Sequence, residues 1–264
     1  MTPTEARSRA SSDSEGETSM RKTLFASAIA ALFLLPVAAE AQTEGVKGTW
    51  TVTVRGGSAL PVSGDVHNGG SGAVLGLPTS VGARSYDDIY DAGFGFRAGL
   101  GYGIARNVEL FGDFTYGRAS AQNLSVGDVA GLDLRASFAK YSSRGLEGGL
   151  RLHFAPESTL KPYVALVGGV KWIDEIPATF SVPAAGVVLA DTPFYAASTV
   201  PTLGSDFGLT FDVARNMAIG AEAGLRYHTK LSRLNGLAGT GLENLNDAGD
   251  RWSFPVTAVV KFRF

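Results

Sequence analysis

Cysteine is absent from all 264 residues, which excludes a disulfide framework and any Cys-based metal or catalytic set. An excess of charge of one sign is also lacking. The chain holds 23 Lys and Arg against 25 Asp and Glu, a formal net charge of −2, so nothing electrostatic points to nucleic acid. Histidine is scarce, with three residues. Helical apolar periodicity is missing beyond residue 41. What the chain has in quantity is glycine, 34 residues, placed inside alternating runs rather than in Gly-Ser linkers.

The first 19 residues, MTPTEARSRASSDSEGETS, are polar and without apolar periodicity. They are expected to stay disordered, or to be a misassigned extension ahead of a true start at Met20. Residues 20–41 then read as a secretory signal peptide: Arg21-Lys22, an apolar run from Leu24 to Ala39, and the small-x-small exit Ala39-Glu40-Ala41. The alternative, an anchoring helix, is opposed by Pro36 and by that cleavage site. Residues 42–264 form the mature domain, with 19 Lys and Arg against 20 Asp and Glu.

Within that domain the apolar residues recur with a period of two, the signature of strands with chemically different faces. Trp50, Val52 and Val54 begin the series. A second run covers Tyr90 to Ile104 and alternates with Asp91, Arg97 and five glycines. Further runs place Val108, Leu110, Phe114 and Tyr116 against Glu109 and Asp113, and Leu146, Leu150, Leu152 and Phe154 against Glu147, Arg151 and His153. Val164, Leu166, Val170 and Trp172 follow. Next come Leu203, Phe207, Leu209, Phe211 and Val213 against Asp206 and Asp212. Met217, Ile219, Leu225 and Tyr227 oppose Glu222, Arg226 and His228. The last run, Trp252 to Phe264, alternates with Thr257, Lys261 and Arg263. This is an all-β chain of eight strands.

Short bends near 105–107, 155–160 and 214–216 alternate with long connections near 61–88, 118–135, 174–199 and 229–250. That rhythm describes an antiparallel meander, which eight strands can close into an up-and-down barrel without a free edge. Two of the bends repeat one sequence, GIARNVEL at 103–110 and DVARNMAI at 212–219. Each is expected to be the same tight hairpin turn on the same rim.

Alternation alone leaves open which face points inward. A soluble lipocalin-like carrier of an apolar ligand would hide the greasy face, and Gly48-Thr49-Trp50 matches the Gly-x-Trp of such a carrier's first strand. Three features favour lipid outside. The polar faces mix Arg97, Asp113, Glu147, Arg151, Glu222, Arg226, Lys261 and Arg263 with glycines that leave room for long side chains, as an ion-paired lumen requires. Trp50, Tyr102, Tyr116, Trp172, Tyr227 and Trp252 fall near strand ends, where an interfacial girdle belongs. The chain also ends with its last strand, on Phe264.

On these residues the chain resembles the small eight-stranded outer-membrane β-barrels of Gram-negative bacteria, among them the transmembrane domain of outer-membrane protein A. The segment GLGYGIARNVELFGDFTYG is similar to that family's strand–turn–strand, and the ending KFRF to its C-terminal aromatic-x-aromatic signal. The resemblance implies a transmembrane β-barrel exported to the outer membrane. It also implies that Phe262 and Phe264 are read by the outer-membrane assembly machinery. Val259 departs from the glycine common at that place.

No catalytic or metal set stands out. A lipid-A deacylase built on such a barrel would need Ser two residues after a His, but Gly69, Ala155 and Lys230 stand there. GFGFRA at 93–98 is no dinucleotide loop, because the strand period continues through it. The acidic groups Asp87, Asp88 and Asp91, and Glu243, Asp247 and Asp250, lack calcium-loop spacing. No cofactor and no nucleic-acid partner are expected. The partners expected are outer-membrane lipid and lipopolysaccharide, with Lys230 and Arg233 as candidate lipopolysaccharide contacts. The function expected is structural or surface-interactive, through four external loops above a lumen plugged by ion pairs. A narrow solute channel and the lipocalin-like carrier are the alternatives. N-terminal sequencing of the exported protein should begin at Gln42; a start at or before Met20 would show that no signal peptide was removed.

Overall fold

The computed structural model describes residues 45–264 apart from Leu75 and Ala248. The disordered extension (1–19) and the signal peptide (20–41) lie outside the described residues. In chain order the strands are β1 (Trp50–Ser63), β2 (Asp65–His67), β3 (Gly70–Val74), β4 (Leu77–Val81), β5 (Arg84–Ser85), β6 (Gly93–Ala105), β7 (Val108–Ala119) and β8 (Asn123–Val129). They continue as β9 (Leu132–Phe138), β10 (Tyr141–His153), β11 (Leu160–Ile173), β12 (Ile176–Val182), β13 (Val187–Tyr195), β14 (Ser198–Ala214), β15 (Met217–His228) and β16 (Arg251–Arg263).

Eight of them, in the order β1-β16-β15-β14-β11-β10-β7-β6, form a closed antiparallel barrel. The alternation read from the sequence decides which side chain goes where. In β1, Thr51, Thr53 and Arg55 are buried while Trp50 and Val54 face outward. The other walls follow the same rule, so that Leu166 is 70% exposed and Arg151 only 1%. A barrel that shows its leucines and hides its arginines is inside out relative to a soluble one. Its closed ladder leaves no backbone edge for lipid to meet.

The two Ala-Arg-Asn bends are two-residue turns, Arg106-Asn107 between β6 and β7 and Arg215-Asn216 between β14 and β15. Both hairpins carry the same irregularity of register one step before the turn, at Gly103/Ala105 and at Asp212/Ala214. One turn geometry is therefore used twice on the rim that also bears both ends of the described chain.

At the other rim most of the long connections, expected as external loops, carry regular structure of their own. Three of them contribute β3, β4, β8, β9, β12 and β13 to a second, six-stranded sheet, order β13-β12-β9-β8-β4-β3, and β2 pairs with β5. Together they cover a hydrophobic core that includes Val66, Ile89, Val126, Phe138, Ile176, Phe194 and Tyr195. The fourth connection, between β15 and β16, holds no strand among its described residues, yet Leu231, Leu237, Leu242 and Leu245 insert into that same core. Buried polar groups tie it down. The Asn246 amide donates to the Phe194 and Leu234 carbonyls at 2.6 and 2.7 Å, and the Tyr195 hydroxyl donates to the Val66 carbonyl at 2.6 Å. The second run of the sequence reading is shorter than expected for the same reason. β6 starts at Gly93, and Tyr90, at the end of the helical turn Tyr86–Ile89, packs into the cap core.

His67 in the cap is buried, its ring stacked on Phe138 at 6.0 Å and its Nε2 without a hydrogen-bond partner. Burial holds its pKa below the ordinary 6.5. An opened cap would take up a proton that the closed cap refuses, so cap stability should fall as pH drops below about 6.5. Proteolysis within residues 61–92 should accelerate from neutral pH to about pH 5, and His67→Leu should flatten that dependence. A cap equally resistant at both pH values would contradict the assignment.

Candidate functional site

Nine cationic side chains project into the barrel: Arg55, Arg97, Arg151, Lys161, Lys171, Arg226, Arg251, Lys261 and Arg263. They stand beside six carboxylates: Glu109, Asp113, Glu147, Asp206, Asp212 and Glu222. They lie in layers along the axis. Nearest the turns, Asp212 holds Lys161 at 2.9 Å and Arg263 at 2.8 Å. Above it, Glu109 receives Lys261 Nζ at 2.7 Å, Arg151 Nη1 at 2.9 Å and the Thr51 hydroxyl at 2.7 Å, with His153 Nε2 at 2.9 Å. The Arg151 guanidinium also lies over the rings of Phe111, at 4.5 Å, and Tyr163, at 5.0 Å.

The middle layer is the densest. Arg55 bridges Asp113 at 2.9 Å and Glu222 at 3.3 Å. Arg97 reaches Asp206 at 3.1 Å and also Glu222, and the Tyr163 hydroxyl donates to Glu222 at 2.7 Å. Arg226 grips Asp206 through two parallel hydrogen bonds of 2.7 and 2.8 Å, the bidentate geometry that makes such pairs strong. Its second carboxylate partner, Glu147, is 3.4 Å away and is shared with Lys171 at 3.8 Å. Glycines make this crowding feasible. A Cβ at Gly101 would collide with Glu109 and Thr51, and one at Gly208 would enter the ring of Tyr163.

All eight charged residues singled out in the sequence are therefore inside the barrel, but not with their same-strand neighbours. Glu222 pairs with Arg55 and Arg97 rather than Arg226, and Glu147 with Arg226 rather than Arg151. Four residues along a strand span about 13 Å, whereas inward side chains from all walls converge in a lumen with room for little else. These ion pairs thus form across the lumen, between strands that are not neighbours in the ladder. Those eight omit Arg55, Glu109, Lys161, Lys171, Asp206, Asp212 and Arg251; parity alone had set Glu109, Asp206 and Asp212 on polar faces, and the same parity marks the other four as inward.

The six aromatics sit on the outer face at two levels. The rings of Trp50 and Tyr102 are 4.8 Å apart near the turn rim. Tyr227 and Trp252 are 5.2 Å apart at the cap end, where Tyr116 and Trp172 flank Arg144. From Trp252 to Phe264 the last strand rises about 30 Å along the axis, at ~3.3 Å per residue and a tilt of ~40°. That matches a hydrocarbon layer. Phe262 and Phe264 lie at the end of this strand, and the Phe264 amide donates to the Trp50 carbonyl at 2.9 Å. On the cap surface, Lys230 and Arg233 both approach Asp247, at 3.6 and 3.5 Å, and stay about half exposed.

Local hydrogen bonds account for much of the two acidic groups. Asp88 caps its helical turn through Ser85, and Glu243 accepts the Gly239 and Gly241 amides. Among the described residues no group of three or more His, Asp and Glu could hold a metal ion.

An apolar exterior between two aromatic levels, a charged interior and a closed ladder define a transmembrane β-barrel of eight strands. A carrier of apolar ligands would need the opposite orientation. No family model matches the chain, and no curated relative matches its sequence. Solved structures are similar at the level of the barrel. Neisserial surface protein A is 18% identical, with 83% of this chain and 100% of that one covered and a TM-score of 0.43. Ail, the attachment invasion locus protein of Yersinia pestis, is 14% identical over 83% and 99%, with a TM-score of 0.41. OprG from Pseudomonas aeruginosa is 13% identical over 84% and 98%, with a TM-score of 0.41. The barrel assignment itself rests on the pairing described above.

Removing Glu109 strands two buried cations on each other. Glu109→Gln should therefore cost about 3–5 kcal/mol, and Glu109→Gln with Lys261→Met should recover part of it. Urea unfolding in lipid vesicles, followed by gel mobility, would measure both; equal stability of wild type and Glu109→Gln would remove the structural role of this layer.

Proposed function

We propose that the protein resides in the outer membrane of a Gram-negative bacterium and acts through its folded cap, as an envelope-stabilising, adhesive or recognition protein rather than as a conduit or an enzyme. The observation that carries this reading is the division of labour along the barrel axis. The ion-paired layers fill the lumen with side chains, and the connections at one rim build a surface with its own apolar core. An eight-stranded barrel has room for little beyond its own side chains, and a binding surface held by a core is better ordered than free loops.

In this reading the turn rim faces the periplasm and the cap faces outward, and Phe262 and Phe264 serve as the assembly signal. Lys230 and Arg233 touch lipopolysaccharide phosphates: together they carry one positive charge more than the Asp247 between them. In planar bilayers the refolded protein should show no sustained conductance, and Lys230→Glu with Arg233→Glu should reduce co-purifying lipopolysaccharide. Large steady openings would transfer the assignment to a narrow channel.

A further inference from the structure

Directly beneath the cap, and above the middle ion-pair layer, the lumen widens into a cavity of about 130 Å³. Its two sides differ in chemistry. On β1, β6 and β7 the inward Ala59, Gly95 and Gly117 are small and with Pro61 form an apolar wall, bounded toward the middle layer by Arg97 and Thr115. Facing them are Lys171, Arg226, His228 and Arg251, from β11, β15 and β16. Tyr86 and Tyr90 from the cap and Tyr141 from β10 line its upper end.

The cationic side is short of anions. Glu147 is the one carboxylate of the lining, and Arg226 shares it with Lys171, whose ammonium is 3.8 Å away. Arg251 is 5% exposed and pairs with no carboxylate among the described residues. It is held instead by the hydroxyls of Tyr141 at 3.0 Å and Tyr86 at 3.4 Å, with both rings 5.3 Å from its guanidinium. Two further groups have unused hydrogen-bonding capacity. His228, 3% exposed, sits 3.1 Å from Ser253 Oγ through Nε2 and has no partner at Nδ1; the Thr257 hydroxyl, also buried, has none either. Buried cations and polar atoms are costly without partners, and a buried guanidinium that meets only phenols is an incomplete arrangement.

We propose that this chamber binds a small organic anion, with a carboxylate directed to Lys171, Arg251 and His228 and a compact apolar body laid against the glycine-lined wall. The middle ion-pair layer makes the chamber a dead end, so the anion is held there rather than passed through. The site does not depend on what the outer surface of the cap recognises.

The test is a fluorine NMR titration of the refolded mature protein in micelles with 4-fluorobenzoate, set against neutral 4-fluorobenzyl alcohol and inorganic phosphate. Saturable benzoate binding, with the alcohol at least about ten-fold weaker, a difference of 1.4 kcal/mol, is the expected result. Lys171→Met should weaken it by a similar factor. Gly95→Leu fills the cavity from the uncharged wall, where a new Cβ meets nothing closer than the Gly57 carbonyl at 3.9 Å, and should abolish it with every charge in place. The mobility shift on boiling reports that each variant is folded; if Lys171→Met fails to fold, Gly95→Leu decides. Absence of saturable binding, equal affinity for the alcohol, or binding unchanged by Gly95→Leu would overturn the proposal. Phosphate competing as strongly as benzoate would overturn the organic part of it, leaving a simple oxyanion site.

Discussion

A peptide group in hydrocarbon has no water to bond to, and every other feature of this molecule answers to that constraint. β1 meets β16 on one side and β6 on the other, so the ladder has no first or last strand. Once the ring is closed, the pleat sends alternate side chains to lipid and to the interior. The residues that lipid rejects must then find one another in a space only a few side chains wide.

The interior meets this demand by crossing strands. Glu222 gathers Arg55, Arg97 and Tyr163 from β1, β6 and β11, and Glu109 gathers Arg151, Lys261 and Thr51 from β10, β16 and β1. Such hubs tie together strands that are not neighbours in the ladder. The glycines opposite them are part of the same arrangement, since Gly101 and Gly208 stand where a methyl group would displace a hub's partner. The surplus of cations over carboxylates is thus not spread evenly. It gathers under the cap, where Arg251 and Lys171 lie furthest from full pairing.

Much of this was legible beforehand, because a period of two survives in any strand whose faces meet different solvents. The barrel strands, the inward charges and the outer aromatics all follow from that parity. The cap does not. Its strands are short, five to nine residues apart from the two-strand β2–β5 pair. Shifts of register at Ser125/Gly127 and Ala178/Phe180 break their alternation. Their core is also assembled from four distant connections, so no single window displays a buried face. Tyr90 shows the failure in miniature: it continues the parity of β6 yet belongs to the cap core. Partner choice in the lumen was hidden for another reason. Residues four apart on a strand look like natural pairs in one dimension, and only the closed ring shows which strands face one another across the lumen.

The shared core beneath the cap has a consequence for how this surface can diversify. Free loops drift independently, each gaining or losing residues without regard to the others. Here Leu242 and Leu245 from the last connection lie in one cluster with Val66 from the first, Val126 from the second and Phe194 from the third. An insertion in any of them would displace packing in all four, so natural variants should differ by exchanges on the solvent-facing side of β12 and β13 while loop lengths stay fixed. An antibody against this surface would accordingly read a conformational epitope, and a linear peptide from one connection would be a poor mimic of it.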